Sequence, residues 1–345
     1  MNENLNQAPN EQIPEITPEE RKSHKRNLSK LCLAYLAYIV IIELIIVAVS
    51  YAFASMDPNP LADPNVSIVI SSAIQYLIAF PILALLLKTV PARAPEKKSL
   101  GAKSFFKYAF VSMFIMYVGN YISTMLMSYI EMFLGRAPEN SVDVLLDNTN
   151  ILLSVLIVGI IGPIVEELMF RKLFIDRLTQ YGDAVAIFLP ALMFGLFHGN
   201  LYQFFYAFFL GVAFSYIYVK TGKIIYSTLL HIFINLFCGV FPAYILSLFD
   251  LEEFLELALE GTIPEEYIMA NLFPLLLLAA YEFIMFAMIG VGIYTLVKNL
   301  REIRLEKGEV RFPKGTGADV FFFNPGTVLL ITVCLVIMAI NTFAV

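Results

Sequence analysis

The chain has 345 residues, 59% of them hydrophobic and only 15% charged, with a formal net charge of −6 and a mean hydropathy of +0.75. Those proportions exclude an ordinary soluble globular domain. Apolar runs of about 20 residues recur along the sequence, the signature of a polytopic helical membrane protein. Membrane lipid is the expected surroundings, and no nucleic-acid partner is expected.

In chain order, residues 1–30 read as a polar and basic tail. It contains Arg21-Lys22-Ser23-His24-Lys25-Arg26 and shows neither the apolar core nor the small-residue cleavage site of a signal peptide. His24 is expected there as a solvated surface residue. A transmembrane domain follows over 31–345. Its spans are expected at about 31–53, 67–88, 105–133, 150–170, 184–199, 203–219, 224–243, 272–297 and 321–344, giving an all-α bundle of about 8–9 spans. A breaker-rich turn, Asp57-Pro58-Asn59-Pro60, separates the first two, and Glu139, Asp143 and Asp147 follow the third. Before the last two spans, Leu248, Leu251, Leu255, Ala258 and Leu259 recur at helical spacing with Glu252, Glu253, Glu256 and Glu260 between them. That pattern predicts an amphipathic helix at the outer interface, acting as a linker or as a lid. Cys32, Cys238 and Cys334 are dispersed in apolar runs, which argues against disulfides and against a thiolate metal site.

Charge placement sets the expected orientation. With the N-terminus cytoplasmic, every Lys and Arg of the chain except Arg136 falls on the inner side, as the positive-inside rule requires. The expected location is the cell membrane, crossed many times.

The stretch Gly162-Pro163-Ile164-Val165-Glu166-Glu167-Leu168-Met169-Phe170-Arg171 continues an apolar run that begins at Ile151. A charge near a bilayer centre costs roughly 2.5–3.5 kcal/mol, so two adjacent carboxylates there need a reason. Glu167 and Arg171 are four apart and can pair within one helix, which leaves Glu166 free about 100° around it. Pro163 removes a backbone donor, so a distortion just before the acids is expected. His198 lies between Leu196-Phe197 and Gly199-Asn200, and His231 and Asn235 stack at i and i+4 on another span. Counted at about 1.5 Å per residue, Glu166, His198 and His231 all fall roughly 10–25 Å into the membrane, where one buried cavity can hold them.

Taken together, Glu-Glu-x-x-x-Arg (Glu166, Glu167, Arg171), Phe-x-x-x-His (Phe194, His198) and His-x-x-x-Asn (His231, Asn235) resemble the signature of the CAAX-prenyl-protease and bacteriocin-processing family, also called the Abi family. Asn200-Leu201-Tyr202-Gln203, Gly211 and Thr221-Gly222 are similar to its bacterial members. The likeness covers about residues 150–240, the protease-like core. It implies an intramembrane endopeptidase acting on hydrophobic, lipidated or membrane-anchored peptides and proteins.

Amide hydrolysis needs water, a base and donors for the oxyanion. Glu166 is the expected base, with His198 orienting the water and His231 and Asn235 donating to the oxyanion. Glu167 and Arg171 would hold the base's helix. No cofactor is favoured, with zinc the alternative, held by Glu166, His198 and His231 in a His₂-carboxylate set. Against zinc stand the absence of His-Glu-x-x-His and the poor ligand quality of Asn235. Two rival functions remain open at this stage. One is a non-catalytic bacteriocin-immunity or scaffold protein. The other is a proton-coupled transporter, for which Glu43 and Glu282 would be intramembrane acids.

Overall fold

Eight helices among the described residues are long and apolar enough to cross a membrane. The computed structural model describes residues 15–343 apart from 137, 139, 141–144 and 147. Residues 1–14 of the expected tail, and Glu139, Asp143 and Asp147, lie outside the described residues. The long helices are α1 (Pro18–Phe53), α2 (Pro64–Thr89), α3 (Ala102–Leu134) and α4 (Ile151–Arg177). After a short α5 (Asp183–Phe197) come α6 (Leu201–Thr221) and α7 (Ile224–Leu246). An amphipathic α8 (Leu251–Leu259) precedes α9 (Leu272–Glu302) and α10 (Pro325–Phe343).

Two expectations change. From Pro18 onward the supposed tail is already helix: Thr17 caps α1, its hydroxyl accepting from Glu20 N at 3.2 Å while Thr17 N donates to Glu20 Oε2 at 2.8 Å. The polar segment therefore extends the first span instead of trailing from it. The segment expected to span at 184–199 is a helix of 15 residues. At about 1.5 Å per residue it is near 22 Å long, short of the roughly 30 Å hydrocarbon core. It still reverses the chain. Asp183 at its start lies 2.6 Å from Lys220 at the end of α6, so α5 leaves and α6 returns to one end of the bundle. The two helices touch where Gly211 meets Ala191, and a Cβ on Gly211 would sit 2.9 Å from the Ala191 Cα. Such small-residue contact is how helices approach closely in a membrane.

The same end gathers the segments that carry most of the cations. Arg93 N donates to Asp176 O, and Lys98 N donates to Thr221 O at 2.7 Å. Ile16 N donates to Arg311 O at 3.1 Å, and Asp319 is held by Arg21 and Lys25, each at 2.6 Å. His24 is only partly solvated. It is half-buried, with Nδ1 3.0 Å from the Tyr181 hydroxyl and its ring edge-on to Phe312. At the opposite end Arg136 donates to the Phe343 carbonyl at 3.1 Å, and Asn150 N to the Asn65 side chain at 2.7 Å.

Two apolar cores result. One joins α1, α2, α4, α5 and α10, and the other joins α3, α6, α7 and α9. The central helices are irregular where the candidate residues lie. Wide π-helical turns at Ser154–Ile161 and Leu168–Phe174 flank the regular turn Gly162–Glu167 of α4. Pro163 lacks the N–H needed to continue a regular ladder, which accounts for the distortion before the acids. A third wide turn in α7 starts at Asn235.

Candidate active site

The first feature built by α4 is an ion pair. Arg171 Nη2 lies 3.0 Å from Glu167 Oε1, and both side chains are fully buried. The contact is close but poorly aligned. The Arg171 nitrogens have no hydrogen-bond partner among the described residues, and neither does Glu167 Oε2. Compensation comes from aromatic faces, since the guanidinium carbon is 5.0 Å from the Phe194 ring and 5.6 Å from that of Phe214. The i, i+4 pairing read from the sequence is thus present.

His231 joins the two glutamates. Its Nδ1 is 3.2 Å from Glu167 Oε1, and its Nε2 is 3.5 Å from Glu166 Oε2. The imidazole is buried against Phe194 and Phe214, at ring distances of 5.7 and 5.1 Å. Glu166 differs from its neighbour, with a third of its side chain exposed. His198 sits at the end of α5, its Nδ1 donating to the Phe194 carbonyl at 2.7 Å. A carbonyl can only accept, so this bond places the proton on Nδ1 and leaves Nε2 with a lone pair.

Glu166 and His198 share the wall of a cavity of about 340 Å³ between α1, α2, α4, α5 and α10. His231 stands behind Glu166 and does not line it. Asn235 does not line it either: its Nδ2 donates to the Val158 carbonyl at 3.0 Å, inside the wide turn of α4. The structure thus brings Glu166, Glu167, Arg171 and His231 together, puts His198 on the wall of the cavity that Glu166 lines, and ties Asn235 to the Val158 carbonyl.

Sequence reasoning missed the other half of the wall. Tyr38 comes from α1, Gln75 and Tyr76 from α2, and Asn341 from α10, and Glu43 of α1, singled out in the sequence only for the rival transporter reading, joins them. The phenols of Tyr38 and Tyr76 lie within electrostatic reach of Glu166, and neither hydroxyl has a hydrogen-bond partner among the described residues. A Cβ added to Gly162, one turn before Glu166, would lie 3.2 Å from the Tyr76 hydroxyl. Gln75 and Asn341 carried a signal, because each is a polar group inside an apolar run. Tyrosines in such runs carry none, since they are common at membrane interfaces.

Among the described residues no three His, Cys, Asp or Glu side chains are grouped to hold a metal ion. Both nitrogens of His231 face carboxylates, and His198 lines the same cavity as Glu166.

Comparison with known proteins bears on the same region. Residues 148–237 match the family model described as Rce1-like, Type II CAAX prenyl endopeptidase. The chain is also 26% identical over 172 residues to a Bacillus subtilis (strain 168) protein described as "Putative membrane peptidase YdiL", an overlap of 48% of this chain and 68% of that one. No solved structure matches. Both matches support the resemblance to the CAAX-protease (Abi) family that the motifs carry. Both comparisons support a membrane protease.

Proposed function

We propose that the chain is an intramembrane endopeptidase that hydrolyses peptide bonds of hydrophobic, lipidated or membrane-anchored substrates, with the basic end of the bundle facing the cytoplasm. The observation that carries this reading is Glu166. It is a partly exposed carboxylate on the wall of a cavity between membrane helices, backed by His231 at 3.5 Å and accompanied on that wall by His198.

In this reading a water molecule is held between the Glu166 carboxylate and the free Nε2 lone pair of His198. Its oxygen attacks the scissile carbonyl carbon as Glu166 takes its proton, and the carbonyl π electrons move to oxygen. The proton gained by Glu166 is shared with His231 Nε2, and the imidazolium so formed is held by Glu167 through Nδ1. Collapse of the tetrahedral intermediate breaks the C–N bond, and the same proton passes to the leaving nitrogen. Products are a carboxylic acid and an amine, which exchange the remaining proton to leave as carboxylate and ammonium, with no metal required at any step. Tyr38 and Tyr76, with unclaimed hydroxyls on the same wall, donate to the oxyanion. The task expected of the His231 and Asn235 pair passes to them, and Asn235 instead fixes the wide turn below Glu166.

The test is mass spectrometry of membrane and secreted peptides from cells carrying either the native chain or the Glu166→Gln variant. An uncleaved species should accumulate with the variant. Identical peptide profiles, with both proteins present at equal levels, would remove the protease reading.

A further inference from the structure

Glu43 is the cavity group that hydrolysis leaves unused. It belongs to the apolar middle of α1, lines the same cavity as Glu166, and is exposed. Among the described residues it makes no ion pair or hydrogen bond. A carboxylate in an apolar span calls for a partner, and the wall offers no Lys or Arg. It contains Glu43, Glu166 and His198 but no Lys or Arg, the remainder being aromatic and aliphatic side chains with Gln75, Cys334 and Asn341.

We infer that Glu43 is a specificity residue that receives a cationic group of the substrate, a Lys or Arg side chain set in an otherwise apolar peptide. The inference deepens the endopeptidase reading and rests on it for the position of the scissile bond. The same charge balance disfavours an anionic group in the cavity, so a free C-terminal carboxylate close to the cleaved bond is a poor fit. A spacing follows as well. Glu43 is five residues beyond Tyr38 on α1, about 7–8 Å along the axis, and Tyr38 lies within electrostatic reach of Glu166 on the same cavity wall. An extended peptide advances about 3.3–3.6 Å per residue, so the basic side chain belongs roughly two positions from the bond that Glu166 attacks.

The experiment uses the full chain in proteoliposomes with three apolar, fluorophore-bearing dodecapeptides that differ at one position, which is Lys, Gln or Glu. Binding is measured by anisotropy in the Glu166→Gln background, and cleavage is measured in the native chain. The Lys peptide should bind at least about tenfold more tightly than the Glu peptide, the worth of a charge-assisted contact. Adding Glu43→Gln should erase that preference, and Glu43→Lys should invert it. In cleavage by the native chain the difference should appear in KM more than in kcat. Equal binding of the three peptides, or a preference that survives Glu43→Gln, overturns the inference. Because binding is read without turnover, absence of cleavage by the native chain would count against the endopeptidase reading alone. The Gln variant keeps the shape of Glu43, and its thermal midpoint in detergent verifies that it folds.

Discussion

Arg171→Met offers the sharpest structural prediction. It removes the cation 3.0 Å from Glu167 Oε1 and leaves a carboxylate fully enclosed by protein, with His231 Nδ1 at 3.2 Å as its remaining close cationic partner among the described residues. Breaking one side of a buried pair typically costs about 3–5 kcal/mol. Loss of the guanidinium from the faces of Phe194 and Phe214 adds to the loss, at about 0.5–2 kcal/mol per contact. Glu167→Gln should cost a similar amount, because Arg171 is then the unpaired charge. The double variant buries no net charge and should be milder than the sum of the singles by about 3 kcal/mol or more. The chain contains no Trp, but Cys32 and Cys334 are almost wholly buried where α1 meets α10. A thiol-reactive dye therefore reports unfolding in mixed micelles. Effects that add to within about 0.5 kcal/mol would show that the two residues are not coupled.

Other predictions address the cavity and the basic end. Tyr76→Phe keeps the ring and removes only the hydroxyl, so kcat should fall about 10²-fold with little change in KM, and an unaltered kcat would remove Tyr76 from the reaction. Treatment of the purified protein with a membrane-permeant chelator should leave cleavage unchanged, and metal analysis should find far less than one ion per chain. One stoichiometric zinc whose removal and return switch activity off and on would replace the Glu166 mechanism. At the basic end, hydrogen bonds from Lys25 and Arg21 hold the Asp319 carboxyl below its usual range. A lowered folded-state value means stability that is present above the unfolded value near about 3.9 and is lost as pH falls through the folded one. Proteolysis near residue 25 should therefore increase only in strong acid, and Asp319→Asn should show the acid behaviour already at neutral pH.

How much the sequence disclosed varies with the range of the interaction. Glu167 and Arg171 were readable as a pair because four residues on one helix fix their distance. The wide turn before the acids followed from Pro163, a local cause. His231 could be placed at membrane depth, yet its seat between two carboxylates depends on how α7 approaches α4, which no local pattern encodes. Asn235 misled for the same reason: i, i+4 spacing put it on one face with His231, but the wide turn that starts at Asn235 and the Val158 carbonyl take its amide elsewhere. The apolar run at 184–199 implies a span, and the run does not reveal that the helix starts at Asp183 and stops at Phe197. Tyr38, Glu43, Tyr76 and Asn341 come from helices outside the region matched by family comparison, so only the packing of α1, α2 and α10 on α4 makes them part of the site.

The most direct test of catalysis by Glu166 compares the native chain and Glu166→Gln, purified and reconstituted in vesicles, on one cleavable peptide. The exchange keeps the side chain's shape and removes only its capacity to take a proton. Turnover should fall by at least about a hundredfold while peptide binding and the unfolding midpoint stay near native. Cleavage by Glu166→Gln at the native rate would contradict the assignment of Glu166 as the base.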